Sequence, residues 1–60
     1  MKNAIIHRSE KYIIIESTCL SVLAKEVSEH IALNWIPCGG IYEMIYGNQN
    51  RHYYQSLWRK

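Results

Sequence analysis

The feature that most limits the fold of this chain is its shortness. A sequence of 60 residues buries only about 60% of the surface that its unfolded form exposes, which leaves little stability beyond the entropic cost of ordering the chain. The sequence therefore has room for one domain with one core. Folds of this size usually gain further stability from disulfides, a metal ion or a partner subunit.

The cysteine and histidine content argues against disulfides and metals in that role. Two cysteines, Cys19 and Cys38, cannot build a disulfide framework. The three histidines are widely spaced, and no Cys-x-x-Cys or His-x-x-x-His pair begins a tetrahedral metal site. We therefore expect no metal and no cofactor, and oligomerisation is the stabilising element that remains.

Charge and hydropathy indicate a soluble protein. The formal net charge is +2, and the basic residues are scattered, so charge alone is weak evidence for nucleic acid. The longest apolar run, residues 13–15, is far shorter than the roughly 20 residues that span a bilayer. The N-terminus lacks a signal-peptide pattern. We expect a cytoplasmic protein that does not bind membranes.

One amphipathic helix is predicted between two regions of β-prone sequence. Its apolar stripe recurs at spacings of three, four and four residues, typical of one face of a helix. Residues 17–18, Ser-Thr, offer oxygens for the helix N-terminus. Asn34, followed by Pro37, marks its end. The stripe consists of Leu20, Leu23, Val27 and Ile31.

Three strands are predicted around this helix. Residues 11–16, 41–46 and 51–58 are rich in β-branched and aromatic side chains, and residues 47–50 form a turn that joins the last two strands as a hairpin. Residues 1–10 form an N-terminal arm, either frayed or a short extra strand. The predicted fold is a single small α+β domain over residues 11–60, of β-α-β-β order, with its helix packed on a three-stranded sheet.

Residues 12–60 resemble family 1737 of the domains of unknown function, short proteins of bacteria and their phages. The similarity lies in the helix stripe, in the Trp-x-Pro-x-Gly-Gly segment at residues 35–40 and in the closing Tyr-Tyr-Gln-Ser-Leu-Trp at residues 53–58. Asn34 stands where the family usually has Gly, and Ser56-Leu57 where it has Ala-Met. Asn also adopts a left-handed helix cap. The resemblance implies a fold and no particular activity.

The faces of the aromatic hairpin follow from its register. If the register is symmetric about residues 47–50, one face carries Tyr42, Met44, Tyr46, Tyr53 and Leu57. The other face carries Ile41, Glu43, Ile45, His52, Tyr54, Ser56 and Trp58. Because Glu43 and His52 are poor core residues, we expect the first set beneath the helix and the second set outward. A one-residue bulge in either strand would reverse part of this assignment.

An enzyme is not expected. Cys19 begins the helix, where its thiol could act as a nucleophile, but a small Cys in that place is more often a packing residue. The glutamates are separated along the chain or lie on the solvated helix face. The Gly39-Gly40 pair precedes a strand, whereas a phosphate-binding loop precedes a helix.

The outward aromatic face is the candidate functional surface, because such an apolar surface is normally covered. Our leading hypothesis is a non-enzymatic homo-oligomeric binding module whose partner is a host protein or a nucleotide-like small molecule. The family resemblance implies a bacterial or phage origin, and our hypothesis is a phage accessory protein that blocks or sequesters a host component, such as a nucleotide signal or a defence protein, in the host cytoplasm. The alternative is a single-stranded nucleic-acid-binding protein, in which aromatic rings stack on bases. The candidate binding residues are Glu43, Arg51, His52, Tyr54, Trp58 and Arg59.

Overall fold

The computed structural model describes residues 4–60, which form an antiparallel sheet with one helix packed on one face. The strand order in the sheet is β1-β2-β4-β3. This arrangement confirms the predicted α+β class. The elements, in chain order, are β1 (Ile5–Arg8), β2 (Tyr12–Ser17), α1 (Leu20–Ala32), β3 (Ile36–Tyr46) and β4 (Asn50–Trp58).

The predicted three-stranded sheet of β-α-β-β order is wrong in strand number, because the described residues form a four-stranded sheet. The additional strand, β1, comes from the predicted arm and pairs with β2, so that Ile6 lies opposite Ile15. Ile6 packs against the core, which explains why so short a strand is retained. Residues 1–3 of the arm lie outside the described residues.

The core lies between α1 and the two inner strands. Its buried members come from β2, α1, the corner before β3, and β4. Burial of each such side chain stabilises the fold by about 1.5–3 kcal/mol. Trp35 closes the corner between helix and sheet, and its backbone N–H donates to the His30 carbonyl at 3.0 Å. The core residues are Ile13, Ile15, Leu23, Trp35 and Leu57.

The buried face of α1 differs in part from the predicted stripe. Leu23 is fully buried and Val27 packs against the core, whereas Leu20 and Ile31 are about half exposed. His30 is buried instead, and its Nδ1 donates to the Glu26 carbonyl at 2.7 Å. This hydrogen bond removes most of the penalty for burying the ring, so a polar residue can occupy a core-facing position.

The two ends of α1 match the prediction unequally. Asn34 adopts a left-handed backbone with φ of 75°, as expected for the cap after a helix. At the other end, the N-cap residue is Cys19, and no side chain caps the first turn. The Ser17 hydroxyl accepts a hydrogen bond from the Cys19 backbone N–H at 3.1 Å, so the expected cap from residues 17–18 does not reach the helix itself.

The hairpin between β3 and β4 has a three-residue loop, and the predicted symmetric register is therefore wrong by one residue. Tyr46 pairs with Asn50, and the loop residues Gly47 and Gln49 have positive φ values of 53° and 72°. A one-residue change in register exchanges the faces of a strand. On β4, the predicted faces are confirmed. On β3 they are exchanged, so Tyr42, Met44 and Tyr46 lie on the face away from α1, Glu43 and Ile45 lie on the helix side, and Ile41 lies in a bulge.

This bulge interrupts β3 near its middle. Cys38 pairs with Ser56 and Tyr42 pairs with Tyr54, so residues 39–41 lie opposite Gln55 alone. Gly39 has a φ of 73°, a conformation that favours glycine. The Gln55 side-chain amide donates to the carbonyls of Cys38 and Gly39, both at 3.3 Å, and to its neighbour Ser56 at 3.0 Å. Buried Gln55 thus holds the irregular backbone in place.

The far half of the hairpin projects beyond the helix. The 13-residue helix is about 20 Å long, whereas the 11-residue β3 spans about 36 Å, and the longest dimension of the molecule is 38 Å. Every residue from 41 to 50 is exposed. We call residues 41–50 the hairpin arm.

Candidate binding surface

The sheet face away from α1, which we call the outer face, collects most of the aromatic side chains of the protein. Strand pairing places alternate residues of all four strands there. No helix of the described residues covers it. Its members are Ile5, His7, Tyr12, Ile14, Glu16, Ile36, Cys38, Tyr42, Met44, Tyr46, His52, Tyr54, Ser56 and Trp58.

A carboxylate lies at the centre of this face between two histidines. Glu16 Oε1 accepts a hydrogen bond from His7 Nε2 at 3.0 Å, and Glu16 Oε2 accepts one from His52 Nδ1 at 2.9 Å. The three residues come from β1, β2 and β4, which are adjacent strands. The pKa of Glu16 is lowered, mainly by the hydrogen bond from His7. Partial burial raises this pKa, but the hydrogen bond from His52 and the charges of both rings lower it further.

Two tyrosines extend this cluster toward the hairpin arm. The hydroxyls of Tyr46 and Tyr54 are 2.6 Å apart, and the Tyr46 ring meets the His52 ring edge to face at 4.7 Å. The hydrogen bond to Tyr46, followed by burial and the charge of Glu16, raises the pKa of Tyr54 to about 12. Tyr54 therefore stays neutral at physiological pH and acts as a hydrogen-bonding aromatic surface.

The polar cluster borders an open apolar groove of about 410 Å³. Gly40 contributes backbone without a side chain at its wall, and nothing lies within 4 Å of where a Cβ would stand. The aromatic and aliphatic walls suit a flat apolar group, and three hydroxyl-bearing residues among the lining supply hydrogen-bonding atoms. The groove is lined by Ile14, Gly40, Tyr42, Met44, Tyr54 and Ser56.

The six predicted binding residues do not form one site. His52, Tyr54 and Trp58 lie on the outer face. Glu43 and Arg51 lie on the helix side of the hairpin, where Arg51 Nη1 donates to Glu43 Oε2 at 3.0 Å. The Arg59 guanidinium stacks 4.4 Å from the centre of the Trp35 ring, at the opposite end of the sheet.

A second groove, of about 510 Å³, lies at that end of the sheet. Lys11 reaches it because β2 and β4 pair there, and the Arg59 backbone N–H donates to the Lys11 carbonyl at 2.9 Å. Next to it, Trp58 lies between Tyr12 and Ile36 in the sheet. We call this the basic end. Its lining residues are Glu10, Lys11, Leu33, Asn34, Ile36, Arg59 and Lys60.

Several residues of the polar cluster and of the basic end are not identified from the sequence. The sequence assigns the glutamates only to separated or solvated positions, and it gives no role to His7 or Lys11. Alternation along β2 places Glu16 on the same face as Tyr12, but only the pairing with β1 and β4 brings the histidines to it. Such cross-strand contacts have no signature in a single sequence.

The lowered pKa of Glu16 predicts a specific acid sensitivity. Its folded-state pKa lies below the ordinary 4.5, so its hydrogen bonds stabilise the fold above about pH 4.5 and are lost as pH falls through the folded-state value. Glu16→Gln can accept from only one histidine, and we expect it to be about 1 kcal/mol less stable at pH 7. Urea unfolding of both proteins at pH 7, 5 and 3 should show their difference shrinking in acid. Parallel stability profiles would contradict this prediction.

Among residues 4–60, no group of three His, Cys, Asp or Glu side chains is arranged to hold a metal ion. Helix α1, the helix of the described residues, is too short and too polar to cross a membrane. Comparison with known protein families, with curated proteins and with solved structures finds no match to this chain.

Proposed function

We propose that the protein is a non-enzymatic homo-oligomeric binding module. The observation that carries this proposal is the hairpin arm, ten consecutive exposed residues of which the first six, 41–46, are aromatic or aliphatic except for Glu43. Tyr42, Met44 and Tyr46 are exposed on its outer face by 67%, 41% and 45%, and Ile45 on its helix side by 54%. A monomer rarely maintains such a continuous apolar surface in water.

The size of the core supports the same conclusion. Only five hydrophobic residues of the described chain are buried, and a domain of this length gains little surplus stability from a core so small. Burial of the hairpin arm in a subunit interface would add apolar contact where the monomer has none. Association therefore supplies stability that the isolated fold lacks.

The binding part of the proposal concerns the basic end. Lys11, Arg59 and Lys60 bring three positive charges to one groove, with Glu10 as the single carboxylate among its lining side chains. Trp58 offers an exposed aromatic surface nearby. Cations beside an aromatic ring suit a nucleotide-like anion or an acidic patch on a host protein. The resemblance to family 1737 suggests a phage origin, and we therefore propose that the partner is a host component that the protein blocks or sequesters.

Sedimentation equilibrium between about 1 and 100 µM tests the oligomer directly, since interfaces of this kind dissociate by mass action. We expect a mass that is a multiple of 7.1 kDa and that falls on dilution. A constant mass of 7.1 kDa over this range, together with cooperative unfolding, would refute the proposal.

Single-stranded nucleic-acid binding is the second candidate. It is favoured by Trp58, which pairs with Tyr12 on the neighbouring strand, so that two aromatic rings stand beside the cations of the basic end. Both rings could stack on bases. Arg51 does not join this surface, because it pairs with Glu43 on the other side of the sheet.

Fluorescence titrations with adenosine triphosphate and with a 12-nucleotide oligothymidylate separate the two candidates. The double variant Lys11→Gln/Lys60→Gln should weaken the binding of whichever ligand occupies the basic end by roughly thirtyfold, since two charge contacts of about 1 kcal/mol each are lost. Lys25→Gln, on α1 beside Glu29, is the matched control and should change affinity little. Tight oligonucleotide binding that falls steeply with salt would favour the second candidate, whereas binding of the nucleotide alone would favour the first.

A further inference from the structure

Strand β3 is an edge of the sheet, and half of it is unprotected. It pairs with β4 on one side only, so alternate N–H and C=O groups point away from the sheet along its other side. Such a row of unpaired backbone groups is a template for another strand, and proteins normally block it with short strands, prolines, lysines or bulges.

The protection of the edges stops at the bulge. The opposite edge, β1, has only four residues. The first half of β3 contains Pro37 and the bulge at residues 39–41. The second half, residues 42–46, reads Tyr-Glu-Met-Ile-Tyr and contains no proline or lysine. Its one charge, Glu43, is already paired with Arg51 of the adjacent strand.

We propose that two copies of this chain pair through residues 42–46 of β3, antiparallel about Met44, to form one continuous eight-stranded sheet. This inference rests on the proposed homo-oligomer and identifies its interface. The hydrogen bonds of the new pair would satisfy the backbone groups that β3 leaves open. The outer faces of the two copies would then form one surface, with the basic ends at its two extremes.

The sequence of this segment selects a second copy as its partner. Within residues 42–46 only Glu43 is charged and the other four side chains are aromatic or aliphatic, so a strand that pairs with this segment must present mostly apolar side chains. Residues 42–46 satisfy this condition themselves. In a pairing about Met44, Tyr42 of one copy lies opposite Tyr46 of the other, and Glu43 lies opposite Ile45, so no like charges face each other directly.

Oxidative cross-linking tests this register. In a chain with Cys19→Ser and Cys38→Ser, Met44→Cys would place two thiols across the two-fold axis, with Cα atoms about 4.5–5.5 Å apart, which suits a disulfide. Ile36→Cys is the matched control, since it lies on the same strand and face and is similarly exposed, 45% against 41%. With diamide as oxidant, we expect Met44→Cys to dimerise covalently at least roughly tenfold faster, because the pairing raises the local thiol concentration.

A charge substitution tests the same interface without a covalent cross-link. Met44→Lys brings two ammonium groups together at the axis, and we expect a monomer by sedimentation with unchanged helical circular dichroism. Tyr12→Lys is the control, because Tyr12 is also on the outer face and is 44% exposed but belongs to an inner strand. It should leave the oligomer intact.

The outcomes separate this inference from the proposed function. A wild-type chain that stays at 7.1 kDa would overturn both. An oligomer that persists in Met44→Lys and in which position 44 cross-links no faster than position 36 would overturn the edge pairing alone. If Tyr12→Lys dissociates the oligomer and Met44→Lys does not, the edge pairing would likewise be overturned, and the copies would instead pack through their outer faces.

Discussion

The variant Trp35→Ala should unfold the protein, whereas Trp58→Ala should leave it folded. Trp35 is only 3% exposed and is the largest member of the core. Truncation of a buried Trp typically costs about 3–5 kcal/mol. A chain of this length has a total stability of roughly 3–9 kcal/mol, and the change would also remove the ring beneath Arg59.

Trp58 is the matched control because it is the same residue type on the opposite face of the sheet. It is 38% exposed and lies between Tyr12 and Ile36 on the outer face. No cavity opens in the core when it is shortened. The loss should therefore appear as weaker association or weaker ligand binding.

Circular dichroism and urea unfolding measure the first effect, and sedimentation measures the second. Each variant keeps one tryptophan, so intrinsic fluorescence reports separately on the core and on the outer face. If Trp35→Ala is folded with the urea midpoint of the wild type, or if Trp58→Ala is unfolded, then the buried and exposed faces of the sheet are assigned the wrong way round.

The variant Gln55→Glu should destabilise the protein strongly, although the two side chains have nearly the same shape. The Gln55 amide nitrogen donates to three carbonyls around the bulge, and the side chain is buried at 6% exposure. A carboxylate there has no hydrogen to donate and brings its negative charge against those carbonyl oxygens. We expect a loss of about 3 kcal/mol or more at pH 7, since a buried charge without a partner is strongly destabilising.

The pH dependence of this variant separates charge from shape. Burial and the nearby carbonyls should raise the pKa of the introduced carboxyl above its unfolded value, because both disfavour its charged form. Stability is then fully present below the unfolded value and is lost as pH rises through the folded one. Gln55→Met, which also lacks the donor but has no charge, should lose less stability at pH 7. Equal losses in the two variants at all pH values would contradict this explanation.

The elements of the fold follow largely from local sequence. The helix is encoded by the spacing of Leu23 and Val27 and by the left-handed tendency of Asn34, and the structure confirms all three. The strands follow from β-branched and aromatic runs. Both signals act over a few residues, which is why they can be recognised without knowledge of the rest of the chain.

The faces of the hairpin could not be predicted in the same way. Hairpins commonly use either three-residue or four-residue loops, and the choice between them exchanges the faces on which Tyr42 and Glu43 lie. Gln49 accepts a positive φ of 72°, an uncommon conformation for that residue. The shorter loop places Glu43 beside Arg51 and Tyr46 against Tyr54, and these contacts exist only once the strands are paired.

Sequence by itself therefore determined the class of the fold, its helix and three of its strands, because these depend on side-chain periodicity and backbone preference. Tertiary structure decided the rest. It brought β1 to the sheet through Ile6, buried His30 in place of Ile31, and gathered His7, Glu16 and His52 from three strands. Each of these depends on contacts between residues that are distant in sequence, and such contacts contribute energy only after the chain has folded.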